Sequence, residues 1–279
     1  MTDTASPPAK APVIPETVPV PRQYSGINWI GLSTLYQREV RRFIKVGMQT
    51  VAAPVVTTLL YMLVFVVAMS GANPGSHGLP FAQFVAPGLI MMAILNNAFA
   101  NASSSLIQAK IMGTAPDFLM PPLTPLELLL GFGLGAATRG LAVGLVTAVT
   151  VWPFAQYSVH HLWAIVFFSM GASLIMGLAG VIAGLWSEKF DQLAAVTNFV
   201  ITPMTFLSGT FYEIGRLPEP FQTLSHFNPM FYMIDGFRYG FTDFNDSNLA
   251  VGVAIVLALT GILSLACYMI LKSGWRLKS

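Results

Sequence analysis

Residues 51–70 read VAAPVVTTLLYMLVFVVAMS, twenty positions without a charged side chain. About 20 mostly apolar residues are what one helix needs to cross the hydrocarbon of a bilayer, and the helices of a soluble core manage with shorter runs. Five more stretches qualify: Phe84–Ser104, Leu126–Val151, Leu162–Trp186, Leu193–Phe211 and Leu249–Leu271. Pro203 and Gly209 interrupt the fifth of the six. Composition agrees. Of 279 residues, 54% are hydrophobic and 9% charged, whereas soluble domains carry about 25% charged residues and could not cover their surface with so few. The expected fold class is an all-α integral membrane protein with six transmembrane helices.

Upstream of the first span, Asn28–Gly47 reads as an amphipathic helix. Trp29, Leu32, Leu35, Tyr36, Val40, Phe43 and Ile44 recur at the spacing of one helical face. Gln37, Arg38, Arg41, Arg42 and Lys45 occupy the other, a pattern suited to a helix lying among lipid headgroups. Residues 1–25 form a different region. Six prolines fall between Pro7 and Pro21 with few large apolar residues, so this segment cannot bury enough surface to fold and reads as a disordered cytoplasmic tail. No apolar run follows a basic start there, which argues against a signal peptide. The domain expected to fold is 26–279.

The basic residues set the orientation. Lys10, Arg22, Arg38, Arg41, Arg42 and Lys45 precede the first span, Lys110 and Lys189 fall in the second and fourth loops, and Lys272, Arg276 and Lys278 follow the last span. Only Arg216 and Arg238 fall on the other side. Under the positive-inside rule both termini are cytoplasmic. The net charge of +2 gives no reason to expect a nucleic-acid partner.

The outer loop from Tyr212 to about Asn248 is too aromatic for a free loop between Phe221 and Phe241, yet Pro229 and charges interrupt it. Two short helices broken at Asn228-Pro229, forming a re-entrant hairpin, fit better. Asp235 and Arg238 stand three apart, share a helical face and are placed to pair.

Arg139 is the charge inside a span. Such residues face the bundle interior or water. It reads either as a structural tie to a polar neighbour, the simpler account, or as a contact for a substrate headgroup or gate. Asn96, Asn97, Asn101, Ser103, Ser104 and Ser105 cluster on span two, as interhelical glue or as a polar entry. Gly131, Gly135, Gly140 and Gly144 in span three, with Gly180 and Gly184 in span four, read as close-packing positions. The histidines His77, His160, His161 and His226 fall in outer loops with no carboxylate or cysteine nearby in sequence, so no metal site is expected. The single Cys267 sits in an apolar run and reads as a small core residue. No nucleophile–base arrangement is present, which argues against a membrane hydrolase.

Five segments carry a family resemblance: FVAPGLIMM (84–92), NAFANASSS (97–105), TRG (138–140), TPMTFLSGTFY (202–212) and LSHFNPMFYMIDGFRYGF (224–241). Together they resemble the ABC-2 type permeases, the membrane halves of ABC exporters, and within them the YadH-like bacterial branch. The resemblance runs from about Asn28 to the C-terminus. It implies a bacterial inner-membrane permease that forms its pathway with a second copy of itself. Two separate cytoplasmic ATPase subunits would bind ATP and Mg, with no cofactor held by this chain. The sequence contains no G-x-x-x-x-G-K-[ST] phosphate loop. By the same resemblance, QAKIMGTAPDFLMPPLTP (108–125) is the loop that seats in the ATPase, with Lys110, Asp117, Phe118 and Pro122 as coupling residues. Gly113 and Pro116 stand where relatives are often charged. Pathway and gating candidates are Asn97, Asn101, Arg139, Phe206, Asn228, Asp235 and Arg238. Arg38, Arg41, Arg42 and Lys45 belong to the interfacial helix.

The family exports drugs, lipids, lipid-linked glycans and polysaccharides. Tyr61, Phe65, Phe99, Phe199 and Phe206 suit a lined channel or lipid-facing packing equally. The shortage of polar lining in the outer half favours an amphipathic or lipid-like substrate. Two other readings stay open. A secondary transporter would need intramembrane carboxylates or matching broken helices, and Glu127 at a span edge is a poor substitute. A noncatalytic membrane scaffold is the third.

Overall fold

The computed structural model describes residues 26–69 and 79–275, and among these all regular structure is helical. The proline-rich tail, His77 and the last basic residues, Arg276 and Lys278, lie outside the described residues.

The helices, in chain order, are α1 (Trp29–Lys45), α2 (Ala53–Met69, entered through a π-helical turn at Met48–Ala52), α3 (Phe81–Ile111), α4 (Pro116–Leu119), α5 (Pro125–Ala155) and α6 (Leu162–Trp186). There follow α7 (Phe190–Val196), a π turn at Thr197–Ile201, α8 (Thr202–Phe206), a 3₁₀ turn at Ile214–Arg216, α9 (Glu219–Phe227), α10 (Pro229–Thr242) and α11 (Leu249–Ser273). Local chemistry sets several of the starts. Asn28, Thr124, Asn228 and Asn248 cap α1, α5, α10 and α11 with side-chain oxygens, satisfying amides that have no partner inside the helix. At α5 the cap is a reciprocal box, with Thr124 accepting from the Glu127 amide and Glu127 accepting from the Thr124 amide. Pro125 and Pro229 occupy first-turn positions, where the missing N–H costs nothing.

Among the described residues, five helices are long and apolar enough to cross a membrane: Met48–Val67, α3, α5, α6 and α11. The remaining expected stretch, Leu193–Phe211, differs. Its helix runs Phe190–Phe206 through the π turn, about 25 Å at 1.5 Å per residue, short of the roughly 30 Å hydrocarbon. Beyond Phe206 the chain turns, and Gly209 takes φ +72, a left-handed conformation that glycine adopts without strain. Gly209 is one of the two interruptions visible in the sequence of this stretch.

Burial ranks the long helices. In α3, 72% of the apolar window is buried, against 17% in Met48–Val67 and 11% in α11. The third helix is therefore the axis, packed by α5, α6 and α10, while α2 and α11 turn apolar faces outward. One hydrophobic cluster, including Phe84, Met91, Phe168 and Phe237, fills the half where α3 and α6 begin. A second, including Leu35, Leu106, Leu128, Leu185 and Leu271, fills the other. Since Leu35 and Leu271 belong to one cluster, α1 and the end of α11 lie at the same end of the bundle. Arg38, Arg41, Arg42, Lys45, Lys110, Lys189 and Lys272 all sit on elements that meet there.

The expected glycine packing is observed. A Cβ on Gly180 would stand 2.5 Å from the Phe99 carbonyl, and one on Gly184 would stand 2.9 Å from that of Ser103. These two positions let α6 lie against the α3 backbone. Asn228-Pro229 breaks the chain between α9 and α10 as the sequence indicates.

Candidate functional site

At the basic end α1 runs alongside the first half of α5. Asn28 meets Glu127, a Cβ on Gly131 would touch Leu35, and Tyr36 hydrogen-bonds Thr138 at 3.0 Å. Its buried stripe is Leu32, Leu35, Glu39 and Phe43, whereas Trp29 and Ile44, assigned to the apolar face from sequence, are exposed. Glu39 is the residue that sequence reasoning missed. It is an acid at 0% exposure, and burying a carboxylate is costly unless it is paired and hydrogen-bonded. Oε1 accepts from Ser105 Oγ at 2.6 Å, and Oε2 accepts from Arg42 Nη2 at 3.2 Å and Asn101 Nδ2 at 3.4 Å. Arg42 also donates to the Asn101 carbonyl at 2.6 Å, to Asn101 Oδ1 at 3.0 Å and to Ser104 Oγ at 3.0 Å. The signal was present in the 32–35–39–43 spacing, which places Glu39 in line with the buried leucines.

Three of the six polar residues on α3, Asn101, Ser104 and Ser105, thus hold α1. Ser103 is spent on the Phe99 carbonyl at 2.7 Å. Asn97 turns to Arg139, whose Nη2 donates to Asn97 Oδ1 at 3.2 Å. Asn96 and Asn97 also line a cleft of about 240 Å³ between α2 and α3, with Thr57, Thr58 and Tyr61 opposite.

Of the coupling candidates, Lys110 is engaged within the chain. Its Nζ donates to the Leu185 carbonyl and, at 3.1 Å, to that of Ser187, closing the C-terminal turn of α6. Asp117 is exposed in α4 and, with Arg38, Leu35 and Pro121, lines a groove of about 320 Å³ beside α1. Pro122 is exposed, and its carbonyl accepts from Asn28 Nδ2 at 3.4 Å. Phe118 belongs to α4, and its side chain lies outside the described part. Ile111, Met112 and Met120 add exposed apolar surface around this turn. Arg41 and Lys45 are exposed on α1.

At the opposite end, Asp235 and Arg238 attract each other as charges, but their hydrogen bonds go to separate partners. Asp235 accepts from the amides of Asp246 at 2.8 Å and Ser247 at 2.9 Å and from Ser247 Oγ at 2.5 Å. Arg238, 2% exposed, donates to the Gly209 carbonyl at 2.5 Å, stacks over Phe84 at 4.0 Å and stands 3.9 Å from Asp246. Adjacent backbone groups and an aromatic face outcompete the i,i+3 neighbour. Asn228 Nδ2 donates to the Met204 carbonyl at 2.6 Å, tying α10 to α8. Phe206 packs with Tyr61 and Phe211. The histidine reading is corrected in one respect, because the fold brings a carboxylate to His161. Asp243 Oδ1 lies 2.8 Å from its Nε2, with Tyr239 stacked on the ring.

Residues 31–242, from α1 to the end of α10, match the ABC-2 type transporter family. The chain is 36% identical over 255 residues to an inner membrane transport permease, YadH, of Escherichia coli, covering 91% of this chain and 99% of that protein. It is 22% identical over 222 residues to nodulation protein J of Rhizobium leguminosarum bv. viciae, covering 76% of this chain and 82% of that protein. Nodulation protein J of Sinorhizobium fredii matches at 25% over 185 residues, 63% and 68% of the two chains.

Proposed function

Because this chain belongs to the ABC-2 type transporter family, we propose that it is the membrane-spanning permease subunit of an ATP-driven exporter in a bacterial inner membrane. The pathway forms between two copies, each served by a separate cytoplasmic ATPase that binds ATP and Mg. The observation that carries this reading is the basic end of the bundle, where α1, the 112–124 turn and the ends of α3 and α6 are tied together by Glu39, Glu127 and Lys110. That junction leaves Asp117, Met112 and Met120 exposed. A rigid junction with an exposed acidic and apolar turn suits a docking site that passes motion from an ATPase into the membrane core. The basic end faces the cytoplasm, in keeping with the positive-inside rule, and α1 lies at the headgroup level. Phe190–Phe206 with its following turn makes the sixth crossing, and α9–α10 form a re-entrant plug at the outer end.

The substrate is amphipathic or lipid-like. The cleft beside Asn97 has a polar rim and an apolar floor of Leu89 and Met92, and the larger groove of about 530 Å³ between α3, α5, α6 and α10 is almost wholly apolar. The test is purification of the tagged chain from its native membrane. An ABC ATPase should co-purify, Asp117→Arg should release it, and the reconstituted pair should move lipid-like substrate only with ATP. Recovery of the chain without any ATPase, with ion-driven transport in vesicles, would overturn the reading in favour of a secondary transporter.

A further inference from the structure

We infer that Arg139 and Asn97 form an anion site that takes the phosphate- or carboxylate-bearing headgroup of the amphipathic substrate. The inference rests on the permease reading for the word substrate, and on geometry for the site.

Arg139 stands near the middle of α5. A guanidinium at that depth is normally matched by a carboxylate or exposed to a water-filled cavity. Here its hydrogen bond goes to a neutral amide, Asn97 Oδ1 at 3.2 Å, and its buried Nε has no partner. Among the described residues no carboxylate lies within ion-pair distance of Arg139. The nearest acid in the layer, Glu39, has both oxygens occupied by Ser105, Asn101 and Arg42. Arg42, held on Asn101 one helical turn from Asn97, is of the same sign and offers no compensation. Glu39 is matched by Arg42, and Arg139 is left without a carboxylate of its own.

Asn97 connects that deficit to an opening. Its Nδ2 is fixed on the Ala93 carbonyl at 3.0 Å, which directs Oδ1 at Arg139. The same residue lines the cleft between α2 and α3 with Asn96, Thr57, Thr58 and Tyr61. Arg139 does not itself line the cleft, so an anion that enters past Thr57, Thr58 and Asn96 reaches the guanidinium by displacing Asn97 Oδ1 from it. Arg suits this task because its planar fork binds phosphate or carboxylate with two parallel bonds. The apolar floor accommodates the first carbons of an attached chain. With Arg139 and Arg42 both cationic, a headgroup that carries its own ammonium is disfavoured, so the site selects an anionic amphiphile over a zwitterionic one.

The test is binding to the full chain in detergent, without the ATPase, of short-chain phosphatidylglycerol, phosphatidylcholine of equal chain length, and inorganic phosphate at matched ionic strength. Phosphatidylglycerol should bind saturably and at least tenfold more tightly than phosphatidylcholine. Arg139→Gln should abolish that preference, Arg139→Lys should reduce it, and Lys189→Gln, an exposed cation at the same end, should leave it intact. Asn97→Asp supplies the missing carboxylate within the chain, so it should abolish the preference while holding or raising the melting temperature. That result separates a vacant counterion position from mere loss of folding. Equal affinity for the two lipids, or a preference that survives both Arg139→Gln and Asn97→Asp, would overturn the proposal. Phosphate that displaces as well as the lipid would overturn the amphiphile and leave a free-anion site. A chain with the Arg139-dependent preference but no ATP-driven export with its partner would sink the exporter reading instead.

Discussion

Glu127 Oε1 accepts a hydrogen bond from the backbone amide of Asn28 at 2.5 Å, across 99 residues of chain, while its Oε2 accepts from the Thr124 amide at 2.7 Å. One carboxylate thus caps the first turn of α5 and anchors the entry to α1. The turn between α3 and α5 and the helix that precedes the first span are thereby held at one point.

Replacing Glu127 should loosen both elements at once. Glu127→Ala keeps the Thr124 cap but leaves the Thr124 and Asn28 amides without their acceptor, each a charged hydrogen bond of about 1.5–3 kcal/mol. Glu127→Gln keeps one acceptor oxygen and should cost less. Hydrogen exchange should show the Asn28 amide losing protection in Glu127→Ala and retaining most of it in Glu127→Gln. Equal protection in both variants and the parent would show that the staple carries no stability.

The Glu39–Arg42 pair should respond asymmetrically. Removing one partner of a buried pair costs roughly 3–5 kcal/mol, because the remaining charge is left uncompensated. Glu39 has no route to water, whereas the Arg42 side chain keeps 24% of its surface exposed and can turn outward. Arg42→Ala should therefore destabilise more than Glu39→Gln in denaturation followed by tryptophan fluorescence. Gly135→Val should resemble loss of Glu39, since even a Cβ at that position would stand 2.6 Å from the Glu39 Cβ.

Much of this architecture was legible because lipid imposes a simple rule. A span needs a mostly apolar run of about 20 residues, and the five helices that meet it are the runs seen in the sequence. The Asn228-Pro229 break was equally plain, since proline cannot continue a helix through its own position. The polar contacts were harder. Glu39 was masked by the arginines around it, and only its register with Leu32, Leu35 and Phe43 betrays a buried acid. Asp235 and Arg238 do act on each other as charges, as their spacing indicates, but spacing reports only neighbours on a helix. It does not report the amides of residues 246 and 247, or the Gly209 carbonyl, that the fold delivers to the same place. Gly209, an interruption already visible in the Leu193–Phe211 stretch, is where the chain turns out of that helix, though its left-handed conformation could not be read from hydropathy.

The Gly209 carbonyl and the Phe84 ring together specify arginine at position 238. A guanidinium lies flat on an aromatic face while donating in its own plane, and an ammonium cannot do both. Arg238→Lys should lose the stacking, worth about 0.5–2 kcal/mol, and lower the melting temperature. Phe84→Leu should have a smaller effect in the Arg238→Lys background than in the parent. Full additivity of the two changes would show that the ring contact contributes nothing.

The final expectation concerns how Asp235 and Arg238 depend on each other. A direct ion pair in this buried setting would make the two substitutions strongly non-additive, because removing either would strand the other. The geometry gives each its own partners. Asp235 holds the turn at residues 246 and 247 through three hydrogen bonds, each of the charged kind that contributes about 1.5–3 kcal/mol. Arg238 holds Gly209 and Phe84 and reaches the same turn only through Asp246 at 3.9 Å. Asp235→Ala should therefore expose the Asp246 and Ser247 amides to hydrogen exchange while leaving the Gly209 region protected. Arg238→Ala should do the reverse. The coupling energy in a double-mutant cycle should fall toward the lower end of about 0.5–3 kcal/mol, because the two charges attract and share the 246–247 turn without bonding each other. A coupling of several kcal/mol would mean that the two charges meet directly, and the separate-partner arrangement would have to be abandoned.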